Sequence, residues 1–248
     1  MEDLDRPRIV PGAAVQMLRT LEALGLHWDG AVEYQSARTE HYRRALDQLI
    51  SRGLTFECSC SRRERENQGG YPGTCRMGPL RPGPTATRLR VGDEVLSFED
   101  RAQGACAFRM RERGDVVIRR RDGIFAYQLA VVVDDALQGV TDVVRGADLL
   151  DSTPWQLMLQ RSLGLPQPAY LHLPLVLEPD GRKLAKSRRC VALDPARASR
   201  ELCRALALLR QDPPPKLELE AASVVTEWAS RHWHPERLQG LREVRLPA

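Results

Sequence analysis

Apolar residues recur at helical spacing twice before the first strand signal. Across residues 11–26, Val15, Leu18, Leu21 and Leu24 fall three apart, Pro11-Gly12 suits a helix start, and Gly25 suits a stop. Across residues 39–52, Tyr42, Leu46, Leu49 and Ile50 form one face, with Thr39 as N-cap and Gly53 as terminator. A short strand is expected at 54–58, and others at 95–98 and 105–110; the Pro-, Gly- and Thr-rich stretch 77–87 reads as a loop. The run IFAYQLAVVVDD, 124–135, is apolar with two acids at its end, a buried segment whose end reaches a cleft. VTDVVRGADLL, 140–150, reads as a strand with polar residues at its end. A helix is predicted over 153–163, capped by Ser152 or Thr153 with Pro154 in its first turn. The apolar run LPLVL, 173–177, reads as a buried strand and Asp180-Gly181 as a turn. Two more helices are predicted at 195–210 and 217–231, separated by Asp212-Pro-Pro-Pro. Helices interleaved with strands predict an α/β fold.

Composition narrows the setting. The 248 residues are 42% hydrophobic and 28% charged, ordinary for a globular chain of one large or two small domains. No apolar run approaches the roughly 18 residues of a membrane span, and the opening MEDLDRPR is no secretory signal. Six cysteines in such a chain argue against a disulfide scaffold, so the cytoplasm is the expected compartment, with no membrane partner. The formal charge of +4 is compatible with nucleic acid. A basic stretch, Arg101, Arg109, Arg111, Arg113 and Arg119–Arg121, suits either phosphate contacts or the charged edge of a solvated hairpin.

Three clusters carry candidate chemistry. Arg is written almost everywhere, yet two of only three lysines, Lys183 and Lys186, stand in KLAKS just after the LPLVL strand. A loop leaving a strand end is where open α/β sheets bind ligands, and a lysine is a flexible point charge suited to phosphate. A solvated basic loop is the alternative. Cys58, Cys60 and Cys75 flank a Gly-rich loop; they suit zinc if a fourth ligand such as Tyr71 completes the set, or they are reduced cysteines of a small subdomain. Arg145, at a strand end beside Gly146, suits a bidentate grip on a carboxylate unless Asp142 or Asp148 claims it. His232 and His234 read as surface residues.

The opening EDLD, the CxC and YxxxC cluster, AYQLAVVVDD, VVRGADLLDSTPWQ and KLAKS come in one order along the chain. Together they resemble the catalytic part of the glutamyl-tRNA synthetase family of class I aminoacyl-tRNA synthetases. They resemble most its short branch, which glutamylates queuosine in the anticodon of tRNA(Asp). The resemblance implies a Rossmann-like catalytic domain with a small zinc-containing insertion and a short helical C-terminal region. It divides the chain at 1–57, 58–122, 123–194 and 195–248. It implies ATP, with magnesium, as substrate, a glutamyl-adenylate intermediate and a monomeric enzyme. Glu2, Tyr127 and Arg145 match glutamate-binding positions, Lys183 and Lys186 the ATP-phosphate loop with Lys186 catalytic, and Cys58, Cys60, Tyr71 and Cys75 a structural zinc site. The family's first strand-helix unit, with its HxGH-type turn, has no counterpart after Met1. The chain is therefore expected to be truncated, and these 248 residues alone not to activate glutamate. A fragment of an enzyme charging the tRNA 3′ end, and a non-catalytic zinc-containing RNA-binding protein, are the competing readings.

Overall fold

The computed structural model describes residues 1–61, 64, 71, 73–184 and 193–246. Helix α1 spans Ala13–Ala23 and α2 Thr39–Ser51. Helix α2 buries Tyr42, Leu46 and Leu49, but Ile50 stays exposed. The residue before α2, Arg38, is its N-cap, and Thr39 makes no capping bond. Helix α1 forms at its predicted place yet buries none of its residues: Val15 and Leu21 are exposed, and only Leu24, just past its end, is buried. Periodicity makes a helix; burying its stripe needs a neighbouring element, and the described residues place none over Val15 and Leu21.

The strands form three sheets. Strands β1 (Thr55–Cys58), β2 (Ala86–Leu89) and β5 (Val116–Arg119) are antiparallel in the order β1-β2-β5. Strands β3 (Val95–Asp100), β4 (Gly104–Arg109), β6 (Asp142–Gly146) and β7 (Ala169–Leu173) make a mixed sheet, β4-β3-β7-β6. In it β7 runs parallel to both β3 and β6. Strand β8 (Leu175–Leu177) pairs in parallel with β9 (Glu243–Arg245), near the C-terminus. Patterning missed β2, β5, β7 and β9, which are short and acquire their ladders from distant partners, and LPLVL is not one buried strand: Pro174 separates the end of β7 from β8, whose Leu175 and Val176 are only partly buried. Patterning also misread 217–231, while the apolar run at 124–135 is buried or partly buried as expected. Residues 127–137 form a helix, α4, after a short α3 at Met110–Arg113. The run expected at 217–231 is a 3-10 turn, Pro215–Leu219, followed by α7 (Ala222–Arg231), because Pro214 and Pro215 fix the backbone ahead of it.

Helix α5 (Thr153–Leu163) joins two cores. Its Leu159 and Leu163 pack with Tyr42, Leu46 and Leu49 of α2, Leu129, Val132 and Val133 of α4, and Ile118 of β5. Its Leu157 packs with Leu96, Phe98, Cys106, Met110 and Tyr170. Helices α6 (Ala198–Leu208) and α7 form a smaller core with Leu217. The result is an α/β fold of mixed sheets with helices, in which the parallel pair β6-β7 ends beside α5. No helix among the described residues is long and apolar enough to cross a membrane.

One buried carboxylate fastens α4 to α2. Asp134 accepts hydrogen bonds from the Tyr42 hydroxyl (2.7 Å), Arg38 Nε (2.8 Å) and Gln35 Nε2 (3.0 Å). The Tyr42 phenol is pushed far up, by burial first and then by this carboxylate. Asp134→Ala would strand a buried hydroxyl and leave the largely buried Arg38 guanidinium only its half-exposed partner Glu33, at 3.3 Å. It should lower the unfolding free energy by about 3–5 kcal/mol, read from urea denaturation midpoints at unchanged m-value. A loss under about 1 kcal/mol, the size of a surface pair, would refute this account.

Candidate functional site

The carboxyl ends of β6 and β7 carry the centre of the site. On β6, alternate residues face opposite ways: Asp142 and Val144 are exposed, Val143 and Arg145 partly buried. Neither neighbouring acid claims Arg145. Asp142 pairs with Arg101 at 2.7 Å and Asp148 with Lys183 at 2.5 Å. Arg145 instead donates from Nε to His172 Nε2 (3.1 Å) and from Nη2 to Thr153 Oγ1 (2.9 Å). Among the described residues, no carboxylate stands within ion-pair distance of it.

Behind Arg145 lies a fully buried pair. His172 on β7 places Nδ1 2.5 Å from Asp100 Oδ2, at the end of β3. Asp100 Oδ1 accepts from the backbone N–H groups of Ala102 (3.0 Å), Gln103 (2.8 Å) and His172 (3.2 Å). Burial opposes ionisation of Asp100, but His172 and these N–H groups outweigh it and hold its pKa below the usual value. Thr153, expected as a helix cap, donates to Leu149 O and faces the imidazole instead.

Tyr127, at the start of α4, is raised by burial and opposed by the nearby Arg145 guanidinium; Glu2 acts on it through space. Thus Glu2, Tyr127 and Arg145 share one electrostatic neighbourhood. EDLD is anchored there by Asp3, which accepts from Ser36 N (2.8 Å) and Ser36 Oγ (2.5 Å). Glu2 also lines a cleft of about 370 Å³ with Trp28, Arg38, Asp134 and Asp135. Asp135 is one of the two acids whose run was expected to end at a cleft; sequence reasoning missed Asp100 and His172, and read Thr153 only as a cap. The available signal was a single histidine in an otherwise apolar strand run, YLHLPLVL.

On the phosphate-loop side, Glu178 N bonds Arg182 O, Leu184 N bonds Val176 O, and Leu177 bridges Lys183, a hairpin closed by the Asp180-Gly181 turn. Lys183 leaves that hairpin with an exposed side chain. Lys186 lies outside the described residues. In the basic stretch, Arg101, Arg113 and Arg120 pair with Asp142, Asp151 and Asp5.

The cysteine cluster closes as its spacing suggested. The sulfurs of Cys58, Cys60 and Cys75 lie within 4.8 Å of one another. The Tyr71 hydroxyl is 3.5 Å from Cys58 Sγ and accepts from Cys75 N at 2.7 Å. Gly114 lets Tyr71 in: it sits at φ +69, and a Cβ there would stand 2.8 Å from Tyr71 O. Burial works against thiolate at Cys75, yet hydrogen bonds from Tyr71, Ser59 and Leu80 bring it down to about 6. Cys60 is pushed up to about 11, first by burial and then by the hydrogen bond with Cys75.

Asp135 is held well above the ordinary carboxylate range. Burial raises it from 3.8 to about 6, with Arg145 opposing and Asp134 and Glu2 reinforcing. The folded state therefore holds this proton more tightly than the unfolded state. That stabilising contribution is complete below the unfolded pKa and is lost as pH rises through about 6. Asp135→Asn should melt above the parent at about pH 8, with the gap closing towards about pH 4. A melting-temperature gap constant with pH would reject the assignment.

A family model described as tRNA synthetases class I (E and Q), catalytic domain, matches residues 1–199. The chain is similar to the Glutamyl-Q tRNA(Asp) synthetase of Pseudomonas paraeruginosa (strain DSM 24068 / PA7), 51% identical over 249 residues, covering 100% of this chain and 84% of that protein. It is similar to the protein of the same name from Pseudomonas aeruginosa (strain PAO1), 52% identical over 240 residues, 96% of this chain and 82% of that protein. Its fold is similar to that of a glutamate tRNA ligase from Elizabethkingia meningosepticum, solved in complex with its amino acid, with TM-score 0.75 and 22% identity. A glutamate-tRNA synthetase from Elizabethkingia anophelis gives TM-score 0.76 at 22% identity. All of this chain is covered in both, and it spans 60% of the length of each of those chains.

Proposed function

The chain belongs to the class I tRNA synthetases of the E and Q type, and from that premise we propose that it activates glutamate with ATP and transfers the glutamyl group to queuosine in the anticodon of tRNA(Asp). The names of its half-identical relatives support the acceptor. The observation that carries the amino-acid site is Arg145: a partly buried cation whose side-chain partners, His172 and Thr153, are not acids. Such a charge is kept for a carboxylate that arrives with the substrate.

The chemistry then assigns the two carboxylates of glutamate. The α-carboxylate must stay nucleophilic to attack the α-phosphorus of ATP, forming a new P–O bond as pyrophosphate leaves. A bidentate guanidinium would blunt it, so Arg145 and Tyr127 take the side-chain carboxylate, and Glu2 receives the ammonium. Lys186, with Lys183 beside it, offsets charge on the departing phosphates, with magnesium accompanying ATP. A queuosine hydroxyl next attacks the adenylate carbonyl, and AMP leaves. The enzyme works as a cytoplasmic monomer, with its segments divided at 1–57, 58–122, 123–194 and 195–248.

Arg145→Ala should raise the glutamate requirement of pyrophosphate exchange by an amount equivalent to about 1.5–3 kcal/mol, the worth of a hydrogen bond to a charged group. The assay uses the full gene product, and the ATP requirement should hold. The same preparation should label tRNA(Asp) containing queuosine and leave tRNA(Asp) without it unlabelled. An unchanged glutamate dependence would remove Arg145 from the site; labelling of tRNA(Glu) at its 3′ end would instead make this a conventional glutamyl-tRNA synthetase.

The cysteine cluster fits zinc. Bonds of about 2.3 Å at tetrahedral angles put ligand sulfurs about 3.8 Å apart, a spacing the cluster accommodates. Cys58, Cys60, Cys75 and Tyr71 would hold the ion. The Arg88 guanidinium lies 3.9 Å above the Tyr71 ring centroid, where a cation favours the electron-rich phenolate. With four protein ligands, zinc supplies structure rather than a reaction centre. Metal analysis should find one zinc per chain, lost in Cys58→Ser and Cys75→Ser together with cooperative melting of the segment around β1 and β2. Full zinc retention by both variants would sink the assignment.

A further inference from the structure

The guanidinium of Arg145 is always a donor, because arginine has no acceptor and does not lose its proton in proteins. Its Nε lies 3.1 Å from His172 Nε2, so that ring nitrogen must present a lone pair. The imidazole proton is then on Nδ1, where Asp100 Oδ2 receives it at 2.5 Å. The hydrogen bonds alone thus fix the tautomer: Nδ1–H to the carboxylate, bare Nε2 to the guanidinium. Protonating Nε2 would turn donor against donor.

We propose that Asp100 and His172 form a positioning pair that aims Arg145 at the substrate carboxylate. The two bonds from Arg145 use the Nε–Nη2 edge of its planar fork, on His172 and Thr153. That leaves the Nη1–Nη2 end for ligand and for Tyr127, the end geometry that receives a carboxylate with two parallel bonds. A carboxylate in place of the imidazole would hold the same edge but would neutralise the charge. A neutral acceptor orients without neutralising, and the buried Asp100 fixes which nitrogen accepts. Burial, first, and the nearby Arg145 charge keep His172 below its usual pKa against the pull of Asp100. The Tyr170 ring, stacked on the imidazole at 6.0 Å between centroids, keeps the ring plane in place. Position 172 is therefore a specificity-determining position one shell behind the substrate. This inference rests on the reading of Arg145 as the carboxylate grip.

Asp100→Asn is the discriminating variant. Its amide oxygen can keep the three backbone N–H bonds that Oδ1 now accepts. Its NH2 group then points at His172 Nδ1 and drives the proton to Nε2, against Arg145. Nitrogen-15 spectra of histidine-labelled protein should show a bare Nε2 and protonated Nδ1 for His172 in the parent, and the reverse in Asp100→Asn. His172→Gln, whose lost signal assigns the resonance, restores an acceptor that no tautomer controls. The glutamate KM of exchange should rise roughly 5- to 100-fold in Asp100→Asn, the cost of stranding a buried donor. The ATP KM should not move, and the double variant Asp100→Asn/His172→Gln should return close to parental values. A protonated Nε2 in the parent would overturn the proposal. So would an Asp100→Asn protein that switches tautomer yet keeps its glutamate KM. If the full gene product, used as parent throughout, shows no glutamate-dependent exchange, the proposed function fails, while the tautomer, read without substrate, still decides the pair.

Discussion

A partly buried positive charge held by neutral acceptors is the constraint around which the sheet end is built. Arg145 is needed in one place and one orientation, yet the easiest partner for it, a carboxylate, would quench it. The fold diverts the two acids nearest to it in sequence. Strand alternation turns Asp142 to the opposite face, where Arg101 meets it, and the 3-10 turn after β6 sends Asp148 to Lys183. What remains near the Nε edge is an imidazole and a hydroxyl, both fully buried.

Orientation is then a matter of sheet register. Asp100 ends β3 opposite Tyr170, and Arg145 on β6 is registered with His172 on β7. Three neighbouring strands thus deliver acid, imidazole and guanidinium in a row across their carboxyl ends, where open α/β sheets place ligands. Beneath them, Phe98, Tyr170 and Leu157 form one core, with Tyr170 edge-on to Phe98 at 5.6 Å. A buried carboxylate is costly unless several donors compensate it. Asp100 has three N–H groups and an imidazole, so its cost is met by bonds that also fix the turn at Ala102 and Gln103. Gln103 in turn donates to His172 O (2.9 Å) and Leu241 O (3.0 Å), tying the segment near the C-terminus to the same layer.

The cysteine cluster lies in another sheet and obeys another rule. Its candidate ligands come from the end of β1 and from residues 71 and 75. Holding groups this far apart in sequence together costs entropy that a bound ion would offset. Phe56 and Tyr71, stacked at 6.0 Å, with Cys58 and Cys75, make only a small core of their own.

Some of this was fixed by local sequence. Helices over 13–23, 39–51 and 153–163, strands over 55–58, 95–100 and 104–109, and the turn at Asp180-Gly181 follow from period, caps and turn residues, because those effects act within a few positions. Residue type and spacing picked out Arg145, Lys183 and the cysteines as candidates, and Tyr127 entered only through the family resemblance. Other features needed the folded chain. Whether Arg145 was free of Asp142 and Asp148 depended on which face each side chain took and on partners such as Arg101. The short strands β2, β5 and β9 exist through ladders to residues dozens of positions away, and α1 forms with its apolar stripe uncovered. Asp100 and His172, 72 residues apart, carry no joint signal in sequence. Each reads alone as an ordinary strand-end acid and a lone histidine, and only the parallel register of β3 and β7 makes them neighbours, because side-chain contact is set by three-dimensional distance and not by position along the chain.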